Sequence, residues 1–315
     1  MTLFDTHAHY DDRAFDEDRA ALLSRLPGEG VVTIVNVGCD LDSSRKAIAL
    51  AEEYDYIYAA VGIHPGNAEQ YSPEAIEELR RLARHPKVVA IGEIGLDFHY
   101  DTPDRELQRT AFRAQMDLAK ELGLPVSVHD RDAHAESLSI VREYPGLRGV
   151  FHCFSGSVEV MRELTDCGWY VGFTGVVTFK NGRKAAAVAA AVPEDRILIE
   201  TDCPYLAPEP QRGSRCDSSL LRYTGARIAE LRGMDPEEIL GQVCGDLGVV
   251  FMETTPVEYK CYCSRDRVTA ALISLGKKEL AEIQAEGKTF PVECQFCDEI
   301  YSFTPEDIGE LLKNV

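Results

Sequence analysis

Val88-Val89-Ala90-Ile91-Gly92-Glu93-Ile94-Gly95-Leu96-Asp97 opens as an apolar, β-branched run and ends among two glycines and two carboxylates. A strand buried on both faces reads as such a continuous run. An unpaired carboxylate inside it would cost several kcal/mol, so a cation is expected beside Glu93. Seven further runs, at 3–8, 31–37, 57–63, 126–128, 150–154, 170–173 and 197–199, join the one at 88–94. Successive starts lie 20 to 38 residues apart, room for one crossover helix each. Ser72-Pro73-Glu74 illustrates the helical starts, with Ser72 as N-cap and Pro73 at the first helical position. Eight β-then-α units in about 250 residues are the arithmetic of an α/β protein of the (β/α)8 TIM-barrel type. The competing doubly wound sheet would carry Gly-x-Gly-x-x-Gly after its first strand, and none follows.

The 315 residues are 45% hydrophobic and 27% charged, enough to bury a core and unlike a disordered polyelectrolyte. The longest uninterrupted apolar stretch, 185–192, is far shorter than the roughly 18 to 20 residues of a bilayer span. The opening Met1-Thr2-Leu3-Phe4-Asp5-Thr6-His7 reads as neither a basic leader nor an apolar signal core, so a cytoplasmic location is expected. Pattern, not charge, divides the chain. Residues 1–253 carry the barrel, and 254–315, after Thr254-Thr255-Pro256, form a small module holding four of the ten cysteines.

Strand one ends Asp5-Thr6-His7-Ala8-His9. Side chains two apart on a strand face the same way, so His7 and His9 project together and can share a metal. Taken singly, they could be two polar residues near a loop. Strand four ends in Glu93 and Asp97, strand five in Val128-His129-Asp130, strand six in Phe151-His152-Cys153 and strand eight in Glu200-Thr201-Asp202. Four of the eight histidines thus stand at strand ends, which a barrel gathers at one mouth. Four imidazoles with Glu93 and Asp202 exceed the needs of one tetrahedral ion, so a pair of divalent ions (Mg, Mn or Zn) is expected. Two ions roughly 3.5 to 4 Å apart suit an in-line displacement. Arg131 and Tyr205 lie just past two of these strands, where they could steady a phosphate or stack on a base. His85 and His134 read as structural, and His99 is left open.

These residues in this order resemble the TatD-type metal-dependent deoxyribonucleases of the amidohydrolase superfamily, from Phe4 to about Phe251. The similarity is carried by Phe4-Asp5-Thr6-His7-Ala8-His9, Gly62-Ile63-His64-Pro65, Gly92-Glu93-Ile94-Gly95-Leu96-Asp97, His129-Asp130-Arg131-Asp132-Ala133, His152-Cys153-Phe154-Ser155-Gly156 and Glu200-Thr201-Asp202-Cys203-Pro204-Tyr205-Leu206-Ala207-Pro208. The resemblance implies that His7, His9, Glu93 and Asp202 hold one ion, with Glu93 bridging to a second held by His129 and His152. It also implies that Asp202 orients or deprotonates the attacking water and that His64 contacts phosphate. Two places depart from the family pattern. Arg212-Gly213-Ser214-Arg215-Cys216-Asp217-Ser218 replaces Arg-Gly-x-Arg-Asn-x-Pro, and Asp246 stands where an Asn is usual, which bears on loop geometry and substrate preference.

The family activity implied is 3′-to-5′ removal of nucleotides from single-stranded DNA or RNA by two-metal phosphodiester hydrolysis. A net charge of −20 argues against tight duplex binding and for weak, salt-sensitive binding at ends. One alternative keeps the metals but cleaves an ester or amide, as a D-aminoacyl-tRNA deacylase does. Another is a redox-responsive binding protein with the barrel as scaffold.

In the last sixty residues, Cys261-x-Cys263 and Cys294-x-x-Cys297 supply four thiolates, enough for a closed tetrahedral Zn site in a segment too short to bury much core. Ser264 is a helix cap, and Thr304-Pro305-Glu306-Asp307 reads as a capping box. Residues 258–312 resemble the carboxyl-terminal zinc switch of the redox-regulated heat-shock chaperone 33 kDa family. That resemblance implies zinc release and disulfide formation on oxidation; the chaperone's client-binding domain has no counterpart here.

Overall fold

The computed structural model describes residues 2–233, 263–293 and 299–312. The chain divides into two compact units, Met1–Phe251 and Met252–Val315. In the first, strands β1 (Leu3–Ala8), β2 (Val31–Val37), β3 (Ile57–Val61), β4 (Val88–Asp97), β5 (Val126–Arg131), β6 (Gly149–Phe151), β7 (Tyr170–Phe173) and β8 (Ile197–Ile199) pair in sequence order, every pair parallel. The sheet then returns on itself. Ala8 bridges Cys203, the Asp202 amide donates to the His7 carbonyl at 2.9 Å, and the His9 amide donates to the Cys203 carbonyl at 2.9 Å. An open doubly wound sheet has no such seam, so the architecture is a nearly closed TIM barrel.

Helices α1 (Arg19–Arg25), α2 (Leu41–Glu53), α3 (Pro73–Leu82), α4 (Arg105–Leu122), α5 (His134–Arg142), α6 (Val158–Asp166), α7 (Arg183–Ala191) and α8 (Leu221–Leu231) follow the strands in turn. Their starts are written locally: Asp40 and Ser43 form a capping box, and Ser72, Asp104 and Ser157 each cap with a side-chain oxygen. Phe112, Phe151, Trp169 and Phe173 are fully buried in the core, each worth roughly 1.5 to 3 kcal/mol relative to exposure.

Two strand ends differ from the apolar runs, and both differences shape the mouth. The strand β4 continues past the apolar run to Asp97 because Gly95, at φ 139°, lets it press against β5; a Cβ there would lie 2.0 Å from the His129 carbonyl oxygen. The strand β6 stops at Phe151, although 150–154 reads as one run, because Cys153 adopts φ 42° and turns the chain.

The second unit contains α9 (Arg265–Ile273), α10 (Lys277–Ala285), an antiparallel hairpin of β9 (Phe290–Glu293) and β10 (Ile300–Phe303), and α11 (Pro305–Leu311). Leu272, Leu280, Phe303 and Ile308 form its small core. Ser264 caps α9, and Thr304 with Asp307 makes the capping box of α11. Of the four cysteines expected to bind zinc, Cys261, Cys294 and Cys297 lie outside the described residues, as does Asp246. The Cys263 sulfur lies 3.1 Å from the Tyr301 hydroxyl, on the strand that follows Cys294 and Cys297 in sequence.

Candidate metal centre

Glu93, buried at the mouth end of β4, organises the site with its two carboxylate oxygens. Its Oε2 faces His7 Nε2 at 3.5 Å and His9 Nε2 at 3.7 Å. Its Oε1 faces His129 Nδ1 and His152 Nε2, both at 2.8 Å, and His64 Nε2 at 3.6 Å. Asp202 Oδ1 lies 3.3 Å from His9 Nε2 and 3.8 Å from His7 Nε2, so it adds a carboxylate to the first group only. Several trios of these nitrogen and oxygen atoms are compact enough to share an ion. The donor set, imidazole and carboxylate, suits Zn, Mn or Fe and admits Mg.

Each imidazole also has an outer nitrogen. His7 Nδ1 lies 3.1 Å from the Ser127 hydroxyl, and His9 Nδ1 donates to the Val37 carbonyl at 2.8 Å. His129 Nε2 faces Asp97 Oδ2 at 3.4 Å, and His152 Nδ1 faces Glu200 Oε1 at 3.8 Å. Glu200 is wholly buried; its Oε2 lies 3.1 Å from the Thr6 hydroxyl, and its Oε1 accepts the Cys153 amide. Gly172 makes room for it, since a Cβ there would sit 2.4 Å from Oε1. Cys39 is a further neighbour, its thiol donating to Glu93 Oε2 at 3.6 Å; burial pushes this thiol up to about 11, so it stays protonated near neutral pH.

Charge within the cluster is shared between carboxylates and imidazoles. Burial opposes ionisation of Glu93, but the imidazoles of His152 and His64 and hydrogen bonds from His129 and His152 outweigh it and hold the carboxyl well below the usual range. Asp202 is lowered in the same way, against burial, by His9 and the His152 charge. Burial disfavours the His129 cation, yet Asp97 and Glu93 raise it to about 10, whereas burial takes His7 and His64 down to about 4. Positive charge is therefore wanted between these groups, and without metal it is supplied by protons.

The sign of the resulting pH dependence follows. His129 rises from 6.5 to about 10, so its contribution to stability is complete below pH 6.5 and lost toward pH 10. Glu200, raised by burial to about 7, loses its contribution as pH passes 7. His7 and His64 are neutral throughout that range. His9 and His152 are also raised, against burial, and act in the same direction, so the metal-free barrel is expected to melt at lower temperature as pH rises from about 7 to 9, with a slope of at least about 1 kcal/mol per pH unit. Thermal denaturation in chelator across that range measures it, and a flat or rising midpoint would contradict the charge assignment.

His64, in the loop after β3, has its ring 4.4 Å from that of His129, and its Nδ1 accepts the Gly66 amide at 2.9 Å. Arg131 and Tyr205 stand at the rim. The Arg131 guanidinium lies 5.4 Å from the Tyr100 ring centre, and the Tyr205 hydroxyl donates to Asp12 at 3.2 Å. His99 pairs with Asp132 at 3.0 Å, and His85 with Glu52 at 3.1 Å. His134 donates to Asp130 at 2.6 Å. Sequence reasoning missed Asp97, Glu200 and Cys39 as neighbours of the cluster and Tyr100 as a rim aromatic, 57% exposed. Position at a strand end was the signal that could have found Asp97 and Glu200; nothing local marked Cys39 or Tyr100.

Comparison with known proteins gives two family matches: TatD related DNase over residues 4–245 and Hsp33 protein over residues 212–304. The second begins inside the barrel unit, upstream of the 258 read from the cysteine motif. The "Uncharacterized metal-dependent hydrolase YabD" of Bacillus subtilis is 45% identical over 239 residues, covering 75% of this chain and 94% of its own. The "3'-5' ssDNA/RNA exonuclease TatD" of Citrobacter koseri is 35% identical over 258 residues, covering 79% and 98%. Among solved structures, the TatD homolog YJJV of Escherichia coli K12 superposes with a TM-score of 0.72 at 33% identity, covering 77% of this chain and 95% of its own. No helix among the described residues is long and apolar enough to cross a membrane.

Proposed function

The chain belongs to the TatD-related DNase family of metal-dependent hydrolases, and from that premise we propose that it removes nucleotides from the 3′ ends of single-stranded DNA or RNA by two-metal phosphodiester hydrolysis. The observation that carries the proposal is the division of Glu93: one oxygen toward His7 and His9, the other toward His129 and His152. His7, His9, Glu93 and Asp202 would hold the first ion, and Glu93, His129 and His152 the second. Bound there, the pair supplies Lewis-acid polarisation of the phosphoryl oxygens and a water acidic enough to react near neutral pH.

The chain's own groups do the rest. Asp202, lowered and therefore ionised, takes the proton of the attacking water, and its partly open side chain gives it access to the mouth. His64, beside the second group, donates to a phosphate oxygen. Arg131 and Tyr205 contact the neighbouring phosphate or base from the rim. Few phosphates need to be neutralised when only an end is held, so the net charge of −20 is compatible with weak, salt-sensitive binding. We place the domain boundary at 253/254 and assign one zinc to Cys261, Cys263, Cys294 and Cys297, with the protein acting in the cytoplasm.

The test uses the full chain reconstituted with Mg, Mn or Zn and single strands labelled at either end, with D-aminoacyl-tRNA as the competing substrate. Immediate loss of a 3′ label, with a shortening ladder from 5′-labelled strands, is expected. Deacylation with intact oligonucleotides would replace this reading with the ester one. Elemental analysis of the same samples should count one zinc that a thiol-specific mercurial releases, and its absence would remove the zinc assignment.

A further inference from the structure

The two halves of the cluster are not equivalent, and the difference lies behind the imidazoles. The group of His7 and His9 has two carboxylates within it, Glu93 and Asp202, and its outer nitrogens meet neutral partners, the Ser127 hydroxyl and the Val37 carbonyl. The group of His129 and His152 shares Glu93 alone, and its outer nitrogens face carboxylates, Asp97 and Glu200. Among the described residues, His152 Nδ1 and His129 Nε2 are buried without a hydrogen-bond partner, and the facing acid oxygens of Glu200 and Asp97 stand 3.8 Å and 3.4 Å away.

We propose that Asp97 and Glu200 are positioning residues for the second ion, supplying from behind the imidazoles the negative charge that the first ion receives from Asp202 directly. Resting on the two-ion reading, the argument runs through the protons of the rings. An imidazole that presents Nε2 (His152) or Nδ1 (His129) to a cation carries its proton on the other nitrogen. That N–H requires an acceptor, and an anionic acceptor makes the ring a stronger donor to the metal. Glu200 is held for this task by the Thr6 hydroxyl, the Cys153 amide and the space left by Gly172. A wholly buried carboxylate contributes nothing to packing that an apolar side chain would not, and its burial is costly unless compensated. The Thr6 and Cys153 hydrogen bonds offset part of that cost, and the His152 ring, 3.8 Å away, supplies the facing charge.

The experiment is equilibrium dialysis and absorption titration of the full-length protein with Co(II), read as the number of sites and the affinity of each. The wild type should bind two ions in the barrel; fewer would defeat the two-ion reading itself. Glu200→Gln and Asp97→Asn should each weaken the second ion about 10- to 100-fold, leave the first within about twofold and alter the second site's visible spectrum. Ser127→Ala, which removes a neutral partner of His7, should leave the second ion unchanged. Thr6→Val keeps Glu200 but removes the hydroxyl beside Oε2, and it carries the test if Glu200→Gln does not fold, with a smaller weakening of the same ion. Wild-type affinity for the second ion in the acid variants, or in Thr6→Val where Glu200→Gln does not fold, overturns the proposal. Equal weakening of both ions does the same.

Discussion

Asp202→Asn is expected to lower turnover on single-stranded oligonucleotides by about 10²- to 10⁴-fold, the range that removal of a positioned general base produces. The amide keeps the shape of the carboxylate, and the backbone bond from residue 202 to the His7 carbonyl does not depend on the side chain, so the barrel should remain folded. What is lost is the proton acceptor at the mouth and, among the described residues, the one carboxylate besides Glu93 that pairs with His7 and His9. Single-turnover rates with saturating Mn, beside a melting curve, separate chemistry from folding. Turnover within about threefold of wild type at unchanged metal content would remove Asp202 from the reaction and revive the scaffold reading.

Glu93→Gln should act more broadly. Its two oxygens face both groups of imidazoles, so one substitution removes the shared anion from each, and the metal held by the barrel, apart from the zinc assigned to the cysteines, should fall toward zero with activity following it. The contrast with Glu200→Gln is diagnostic, because that change is expected to spare the first ion. Without the Glu93 charge, burial should also drive the imidazolium pKa values of His129 and His152 down, which NMR titration of the metal-free protein can follow. Full retention of both ions would show that Glu93 does not bridge.

Much of this arrangement was legible in the chain. Runs 20 to 38 residues apart gave the barrel, and its geometry placed His7, His9, Glu93, His129, His152 and Asp202 at one mouth. The rest depended on backbone angles that composition does not reveal. Alternation along a strand would set Glu200 and Asp202 on the same face, yet Asp202 adopts φ 58°; it faces His9 while Glu200 lies behind His152. Likewise Cys153 turns at φ 42° and ends β6 early, although Phe151 to Phe154 contains mostly apolar residues. The outer acids escaped notice for a different reason. A carboxylate at a strand end can touch a metal or stand behind one that does, and only the direction of the neighbouring ring nitrogen decides which.

The barrel is joined at Ala8 and Cys203, beside His7 and Asp202. A cation held by those two side chains would therefore also tie together points nearly two hundred residues apart in sequence. By chain-entropy reasoning, a tether across so long a loop restricts the unfolded chain by an amount of order 5 kcal/mol. On the two-ion reading, the first ion is thus a clasp as well as a reagent: starving the protein of metal should make the circle of strands easier to melt while it silences the chemistry.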